Sequence, residues 1–215
     1  MQDLSDWTPI DWTAPDALDG RHARLERLSV DRHIDALHAA NPVDAAHWAY
    51  MPYGPFLELD AYRLWAEEVA MSTDPVYYAV RVAGGWSGVA SFMRIDGANG
   101  VIEIGNIAFS PGLQRTPAST EALHLMLDHA FGAGFRRVEW KCNARNRPSR
   151  RAAERLGFSY EGTFRQHMVV KGANRDTAWF AMLDGEWPAI RSAHRAWLHP
   201  ANFDGSGAQR APLRV

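Results

Sequence analysis

The stretch Val138–Gly162 constrains the fold of this chain more than any other segment. At its start, the apolar residues Val138, Trp140 and Cys142 alternate with charged residues, which is the period-2 pattern of a strand. Its end is rich in aromatic residues and again favours a strand. The residues between have helical spacing. The stretch is therefore predicted to be a strand–helix–strand unit, so the chain mixes α and β structure.

The helix of this unit has clear ends in the sequence. Asn146 is placed to cap its start, Pro148 falls in its first turn, and Gly157 stops it in the left-handed conformation that glycine adopts without strain. Ser149 shares a stripe with the small and apolar residues, so its hydroxyl is predicted to face inward. The other side carries a dense basic patch of Arg147, Arg150, Arg151 and Arg155.

The rest of the chain alternates between helix-like and strand-like segments. Three strand-like segments follow the first two predicted helices, and Gly84-Gly85 is a strong hairpin signal between two of them. A helix, a strand, a second helix and two more strands come next, and this order predicts an α+β domain. Outside the first unit, the predicted strands are Arg24–Leu28, Val76–Val82, Trp86–Ile95, Val101–Phe109 and Trp179–Leu183, and the predicted helices are Val30–Ala40, Leu59–Val69, Thr120–Phe131 and Glu186–Leu198.

The pattern also divides the chain into three parts. Residues 1–23 show no clean period and are predicted to be a lead-in that packs over the domain. Residues 24–198 form the domain itself. The tail 199–215 is rich in glycine, proline and small polar residues, and it is expected either to be loose or to pack over the fold or a second subunit.

Composition excludes several classes of function. The 215 residues include 23 basic and 25 acidic side chains, and the net charge of −2 gives no general attraction to nucleic acid or anionic membranes. No apolar run approaches the roughly 20 residues that a membrane span needs, and the N-terminus is acidic rather than signal-like. A single cysteine excludes an internal disulfide and a zinc site of several thiolates. We expect a cytoplasmic monomer or homodimer that binds no metal, nucleic acid or membrane.

The Val138–Gly162 unit closely resembles the second half of the GNAT N-acyltransferase fold, in the RimJ/RimL-type branch of ribosomal-protein N-terminal acetyltransferases. The resemblance covers roughly Arg24 to Trp187 and implies a mixed, mostly antiparallel central sheet of about seven strands flanked by helices. It also implies transfer of an acyl group, with acetyl expected, from acetyl-CoA to a primary amine in a ternary complex. The matching residues are Asn146-x-x-Ser149, Ala152-Ala153-x-Arg155-Leu156-Gly157-Phe158, Glu161-Gly162 and Arg165.

The loop Ser110–Ser119 joins a strand to a helix N-terminus, an arrangement that can bind phosphates. Its second half, Gln114–Ser119, resembles the loop where GNAT enzymes bind the pyrophosphate of acyl-CoA. The family pattern is Gln/Arg-x-x-Gly-x-Gly/Ala, but Pro117 stands at the first glycine and Ser119 at the last small residue. Proline removes one N–H donor, so the site is expected to be weakened, with the hydroxyl of Ser119 in partial replacement. The residues that the resemblance assigns to CoA are Ile107, Ala108, Phe109, Gln114, Arg115, Thr116, Pro117, Ala118, Ser119, Thr120, Asn146, Ser149 and Arg151.

Two residues are candidates for catalysis. An amine attacks a thioester only as the free base, and the leaving thiolate benefits from a proton donor. Glu103 precedes the loop, where a glutamate is the base in several GNAT branches, and a solvated carboxylate is the alternative. Ser149 matches the serine expected beside the departing sulfur, a role compatible with helix capping. Some relatives place their base at the position of Met168, which leaves Glu103, His167 or an already deprotonated substrate here.

The aromatic segment His47–Phe56 has two interpretations. It packs as part of the core, or Trp48, Tyr50 and Tyr53 line the wall of an acceptor pocket, as the equivalent segment does in the family. His167 is a further candidate for substrate binding. The arginine patch is either a solvated helix face paired with Glu154 or a contact for the 3′-phosphoadenosine end of CoA. A non-catalytic acyl-CoA-binding module with a degenerate site is the alternative to an enzyme.

Overall fold

A computed structural model describes residues 3–42 and 44–215 and shows one eight-stranded sheet with helices on both faces. Its order is β1-β2-β3-β4-β5-β6-β8-β7, and only β5 and β6 run parallel. The predicted α+β class is confirmed, with one strand more than expected. The strands are β1 (Ala17–Asp19), β2 (Arg24–Arg27), β3 (Val76–Val82), β4 (Gly85–Asp96), β5 (Val101–Phe109), β6 (Arg137–Asn143), β7 (Ser159–Val170) and β8 (Ala173–Leu183), and the helices are α1 (Val30–Ala40), α2 (Leu59–Ala70), α3 (Pro117–Gly132), α4 (Arg147–Arg155) and α5 (Trp187–Leu198).

The sheet separates two hydrophobic cores, as strand β3 illustrates. Tyr77 and Ala79 pack with α1 and α2 on one face, whereas Val76, Tyr78 and Val80 pack with α3 on the other. Successive side chains of a strand point to opposite faces, so one buried strand serves both cores. Beyond β5, the face that carries α1 and α2 has no helix among the described residues, which leaves the sheet surface of β6, β7 and β8 open there.

The extra strand comes from the lead-in, whose first two residues lie outside the described part of the chain. Leu18 of β1 pairs with Leu25 of β2, and the three residues of β1 are too few to show a periodic pattern. Upstream, the ring of Trp12 packs edge-on against Phe92 with ring centres 5.4 Å apart. The lead-in therefore contributes both an edge strand and an aromatic anchor for the larger core.

The tail folds back against α5. The indole Nε1 of Trp197 donates to Oε1 of Gln209 at 2.9 Å, and Asn202 donates to the carbonyls of Trp197 and Ala211. The ring of Phe203 also packs edge-on against Trp197. The domain boundary at residue 198 stays a prediction. No helix within residues 3–42 and 44–215 is long and apolar enough to cross a membrane.

A buried histidine pair joins α3 to α5. His194 is fully buried, with its Nδ1 3.3 Å from Nδ1 of His124 and its Nε2 3.1 Å from the carbonyl oxygen of Leu156. Burial, with the nearby His124 as a second cause, lowers the pKa of His194 from 6.5 to about 4. The folded protein therefore holds this imidazole neutral at pH values where the unfolded chain binds a proton.

This pair predicts that the free energy of unfolding falls as the pH drops from about 6.5 towards about 4, because only the unfolded chain takes up the proton in that range. Between about pH 7.5 and about pH 5, His194 alone should account for roughly 2 kcal/mol. Urea denaturation of the wild type and of His194→Gln at both pH values measures this contribution. An equal pH dependence in the two proteins would show that His194 does not contribute.

Candidate active site

The two parallel strands β5 and β6 diverge to form a cleft. They pair only where Val101–Glu103 lies beside Arg137–Glu139. Past this point Asn106 has a φ of 51°, and the pairing of β5 with β4 shifts register, so β5 carries a bulge. In the described chain, the facing edges of β5 and β6 pair no further, which leaves backbone N–H and C=O groups available to a ligand.

The segment between α1 and α2 links the two sides of this cleft. The phenol of Tyr53 donates to the carbonyl of Asn106 at 3.3 Å, and that of Tyr50 donates to the carbonyl of Arg145 at 3.2 Å. Burial raises the pKa of Tyr53 well above its usual value, so this phenol remains a neutral donor. Lys171, at the turn between β7 and β8, fixes the segment by donating to the carbonyls of Trp48, Tyr53 and Gly54.

The three aromatic residues predicted to line the pocket lie in two different places in the structure. Tyr50 and Tyr53 lie beside the cleft, as described above. Trp48 is only 2% exposed, its Nε1 donates to the carbonyl of Pro42 at 2.9 Å, and its ring packs against Phe56. The expectation that Trp48 faces the pocket is corrected, because its ring fills the core and supports the segment from within.

Helix α3 begins at the end of the loop that follows β5. Thr116 is its N-cap and accepts a hydrogen bond from the N–H of Ser119 at 3.2 Å. Pro117 occupies the first helical position, which suits its fixed φ, so the helix starts three residues earlier than predicted. The side chain of Gln114 donates to the carbonyl of Phe109 at 2.7 Å and closes the loop.

This loop retains part of the predicted anion site. The backbone N–H groups of Arg115, Thr116 and Ala118 donate to no group within residues 3–42 and 44–215. The hydroxyl of Ser119, expected to replace a missing donor, instead donates to the carbonyl of Thr116 at 2.8 Å. Thr120 is buried and accepts from Arg155. Three N–H groups at a helix N-terminus therefore remain for an anion.

Helix α4 presents Ser149 at the side of β6. The side chain of Asn146 caps the helix by accepting from the N–H of Ser149 at 3.2 Å. The hydroxyl of Ser149 accepts from Nε1 of Trp140 at 3.0 Å. Because an indole N–H only donates, the hydroxyl keeps its own proton for an acceptor. Burial raises the pKa of the neighbouring thiol of Cys142, and a hydrogen bond with Ser149 opposes this rise.

Glu103 is part of a chain of ion pairs rather than a solvated carboxylate. It is 3% exposed, and its Oε2 contacts Nη1 of Arg94 at 2.6 Å and Nζ of Lys141 at 3.0 Å. Lys141 also contacts Glu139 at 2.5 Å. The Oε1 atom of Glu103 has no hydrogen-bond partner in the described chain. The complete chain of ion pairs runs through Arg94, Glu103, Lys141, Glu139, Arg137 and Glu161.

Sequence reasoning missed this chain of ion pairs. Glu139 and Lys141 alternate with the apolar residues of β6, which normally indicates a solvent-facing side. The parallel pairing of β5 and β6 instead places Glu103 opposite Glu139. Their charges were visible in the sequence, but strand periodicity does not show which strands become neighbours.

His167 and the arginine patch both have partners in the structure. Nδ1 of His167 lies 3.0 Å from Oγ1 of Thr177, and its ring packs near Trp179. In the patch, Arg150 stacks over Tyr160 and Arg155 stacks over Trp197 at 4.7 Å. Arg151 is exposed on the outer side of α4. Arg150 and Arg155 therefore both pack on aromatic rings, Arg155 while remaining exposed, and the contact of the patch with CoA stays a prediction.

Comparison with known proteins identifies a family that this chain matches. The family model for an acetyltransferase (GNAT) domain matches residues 23–159. A GCN5-related N-acetyltransferase from Brucella melitensis is 47% identical, with a TM-score of 0.95 over 98% of this chain and 97% of that chain. A probable GNAT-family acetyltransferase from Chromobacterium violaceum is 41% identical, with a TM-score of 0.82 over 87% and 96% of the two chains.

A more distant structure has the same fold. It is an acetyl transferase from Salmonella typhimurium described as modifying the N-terminal serine of ribosomal protein L7/L12, and it is 21% identical, with a TM-score of 0.66 over 76% of this chain and 96% of that chain. No protein with a curated description matches the sequence.

Proposed function

The chain belongs to the GNAT acetyltransferase family and is an enzyme of the N-acetyltransferase type, and from this premise we propose that it transfers acetyl from acetyl-CoA to a primary amine in the cleft between β5 and β6. One observation carries this proposal. The cleft opens where two parallel strands stop pairing, and it lies between the first turn of α3 and the inward hydroxyl of Ser149. A RimJ/RimL-type acceptor, a protein N-terminal amine, is part of the proposal, and a small-molecule amine is the alternative.

The residues present fit acetyl-CoA at one end of the cleft. The N–H groups of Arg115, Thr116 and Ala118 are free to bind its pyrophosphate at the positive end of α3. The open edge of β5 at Ile107–Phe109 offers backbone groups to the pantetheine arm and an N–H to the thioester carbonyl. Asn146, the N-cap of α4, flanks the opposite side. Arg151, exposed further along α4, is proposed to contact the 3′-phosphoadenosine end. When bound, acetyl-CoA supplies an activated acetyl group.

Two side chains beside the cleft have different roles in the reaction: Glu103 accepts a proton, and Ser149 donates a hydrogen bond. Arg94 and Lys141 hold Oε2 of Glu103 and leave Oε1 free, so Oε1 accepts a proton from the acceptor's ammonium group through a water molecule, and the resulting free amine attacks the thioester carbonyl. Ser149 donates a hydrogen bond from its hydroxyl to the departing sulfur and stabilises the thiolate, because Trp140 already occupies a lone pair of the hydroxyl oxygen. Catalysis rests mainly on holding the two substrates together.

Ser149→Ala tests this assignment. We expect kcat for acetyl transfer to fall about 10-fold and the KM for acetyl-CoA to stay within about twofold, because the hydroxyl acts on the leaving sulfur and not in ground-state binding. The measurement is the steady-state release of free CoA in the presence of an amine acceptor. Ser149→Thr, which keeps a hydroxyl, should retain more activity than Ser149→Ala. A wild-type protein without amine-dependent CoA release would contradict the proposed function itself.

The cytoplasmic location and the monomeric or dimeric state stay predictions from the sequence.

A further inference from the structure

The open face of β8 carries two buried N–H donors without an acceptor. Nε of Arg175 and Nε1 of Trp179 are both buried and make no hydrogen bond to any described residue. Arg175, Thr177 and Trp179 alternate along β8, so they lie on one face of the sheet. Between the two donors, Thr177 is paired with His167. Buried donors are rarely left without partners, so this face is suited to an acceptor group from outside the chain.

Arg175 also carries a positive charge that no carboxylate within residues 3–42 and 44–215 pairs with. The chain of ion pairs contains three cations and three carboxylates, each within 3.0 Å of a partner, so it is neutral by itself. Arg175 forms no ion pair within the described residues, and burial lowers the pKa of its guanidinium. Glu103, the carboxylate whose charge acts on Arg175, already binds Arg94 and Lys141. One positive charge beside the cleft therefore has no counterpart in the described protein.

Resting on the proposed function, we propose that the acceptor amine carries a carboxylate and that Arg175 binds it. A guanidinium presents a planar set of donors that matches a carboxylate in two parallel hydrogen bonds. The aromatic rings of Phe164 and Trp179, 4.7 Å apart, lie on the same side and offer apolar contact for the body of the acceptor. Arg175 would thus select anionic amines and orient them towards Glu103.

This carboxylate has two possible sources. In a free amino acid it is the α-carboxylate, next to the amine. In a peptide it is the side chain of an acidic residue at the N-terminus. The two sources share the same contact with Arg175, and matched probes distinguish them. L-phenylalanine against L-phenylalaninamide tests the first source, and Glu-Ala-Phe amide against Gln-Ala-Phe amide tests the second.

Calorimetric titration of each probe into the purified protein saturated with free CoA is the test, because it needs no turnover. We expect the carboxylate member of at least one pair to bind the wild type about 10- to 100-fold more tightly than its amide. Arg175→Gln should abolish this preference, and Arg175→Lys should restore only part of it, since a lysine keeps the charge but not the planar donors. Arg165→Gln is the matched control, because Arg165 lines a separate cavity of about 670 Å³ with Gln166, Asn174 and Asp176.

The outcomes separate this inference from the proposed function. A preference for the carboxylate that Arg175→Gln removes and Arg165→Gln retains supports the inference, even if no acetylated product forms. No preference in the wild type, or an unchanged preference in Arg175→Gln, would overturn it. Amine acetylation without a carboxylate preference would leave the proposed function standing and refute the role of Arg175. If Arg175→Gln weakened the binding of a carboxylate probe and of its amide equally, this would likewise show that Arg175 does not recognise the carboxylate.

Discussion

Replacing Glu103 with Gln should lower kcat/KM for amine acetylation by about 10²- to 10³-fold near neutral pH, the usual contribution of a positioned general base. The amide keeps the shape of the side chain but cannot accept a proton. The loss should shrink as the pH rises, because more of the amine then reaches the cleft already deprotonated. Initial rates between about pH 6.5 and about pH 9.5, at saturating acetyl-CoA, measure both the size of the loss and its pH dependence.

Glu139→Gln is the matched control for this experiment. Glu139 shares Lys141 with Glu103, at 2.5 Å, but lies on β6 and binds Arg137 on its other side. Removing either carboxylate therefore breaks the same chain of ion pairs, and only Glu103 is proposed to move a proton. We expect Glu139→Gln to cost less than about fivefold in kcat/KM, because it leaves the carboxylate of Glu103 and the contact of Glu103 with Arg94 in place. Equal losses in the two variants would assign Glu103 a structural role.

Replacing Ser119 with Glu should weaken acetyl-CoA binding by at least about 100-fold, because it adds a negative charge where three free N–H groups are proposed to bind pyrophosphate. The substitution leaves the helix intact by design. Thr116 is the N-cap and position 119 is the third residue of α3, so glutamate completes the Thr-x-x-Glu capping box. The melting temperature should therefore stay unchanged or rise while affinity falls, and calorimetry with thermal denaturation measures both.

Ser119→Gln separates charge from size in this test. Glutamine has nearly the volume of glutamate and also fits the capping box, but it carries no charge. We expect its affinity for acetyl-CoA to fall by no more than about tenfold, well short of the loss in Ser119→Glu, because the glutamine side chain can occupy the N–H of Thr116 but adds no electrostatic repulsion. Equal affinities of Ser119→Glu and the wild type would place the pyrophosphate elsewhere.

Local signals in the sequence predicted much of the scaffold. The ends of α4 were marked by Asn146, Pro148 and Gly157, because capping and stop signals act over a few neighbouring residues. The predicted bounds of α1, β3 and β5 also match the structure. The strand β1 was missed because three residues carry no period. The family prediction is confirmed for the GNAT family, and the branch within it stays a prediction.

The candidate site was less predictable because it depends on contacts between distant segments. Glu103 was identified from its place before the loop, but its partners Arg94 and Lys141 come from the strands on either side. The sequence left open whether Trp48 packs in the core or lines the pocket, and the structure buries its indole in the core with a hydrogen bond to the carbonyl of Pro42. The partners of Glu103 and the position of Trp48 depend on strand order and on the paths of loops. Periodicity and capping rules do not predict either of these.

The most direct test of the proposed reaction is to follow acetyl-CoA and the amine in the same sample. Wild-type protein is incubated with acetyl-CoA and a panel of N-terminal peptides and small primary amines, and free CoA and N-acetylated product are quantified together by mass spectrometry. We predict that one acceptor yields one N-acetylated amine for each CoA released, and that Glu103→Gln slows both equally. Tight binding of acetyl-CoA without acetylation of any amine would contradict acetyl transfer and favour a non-catalytic acyl-CoA-binding module.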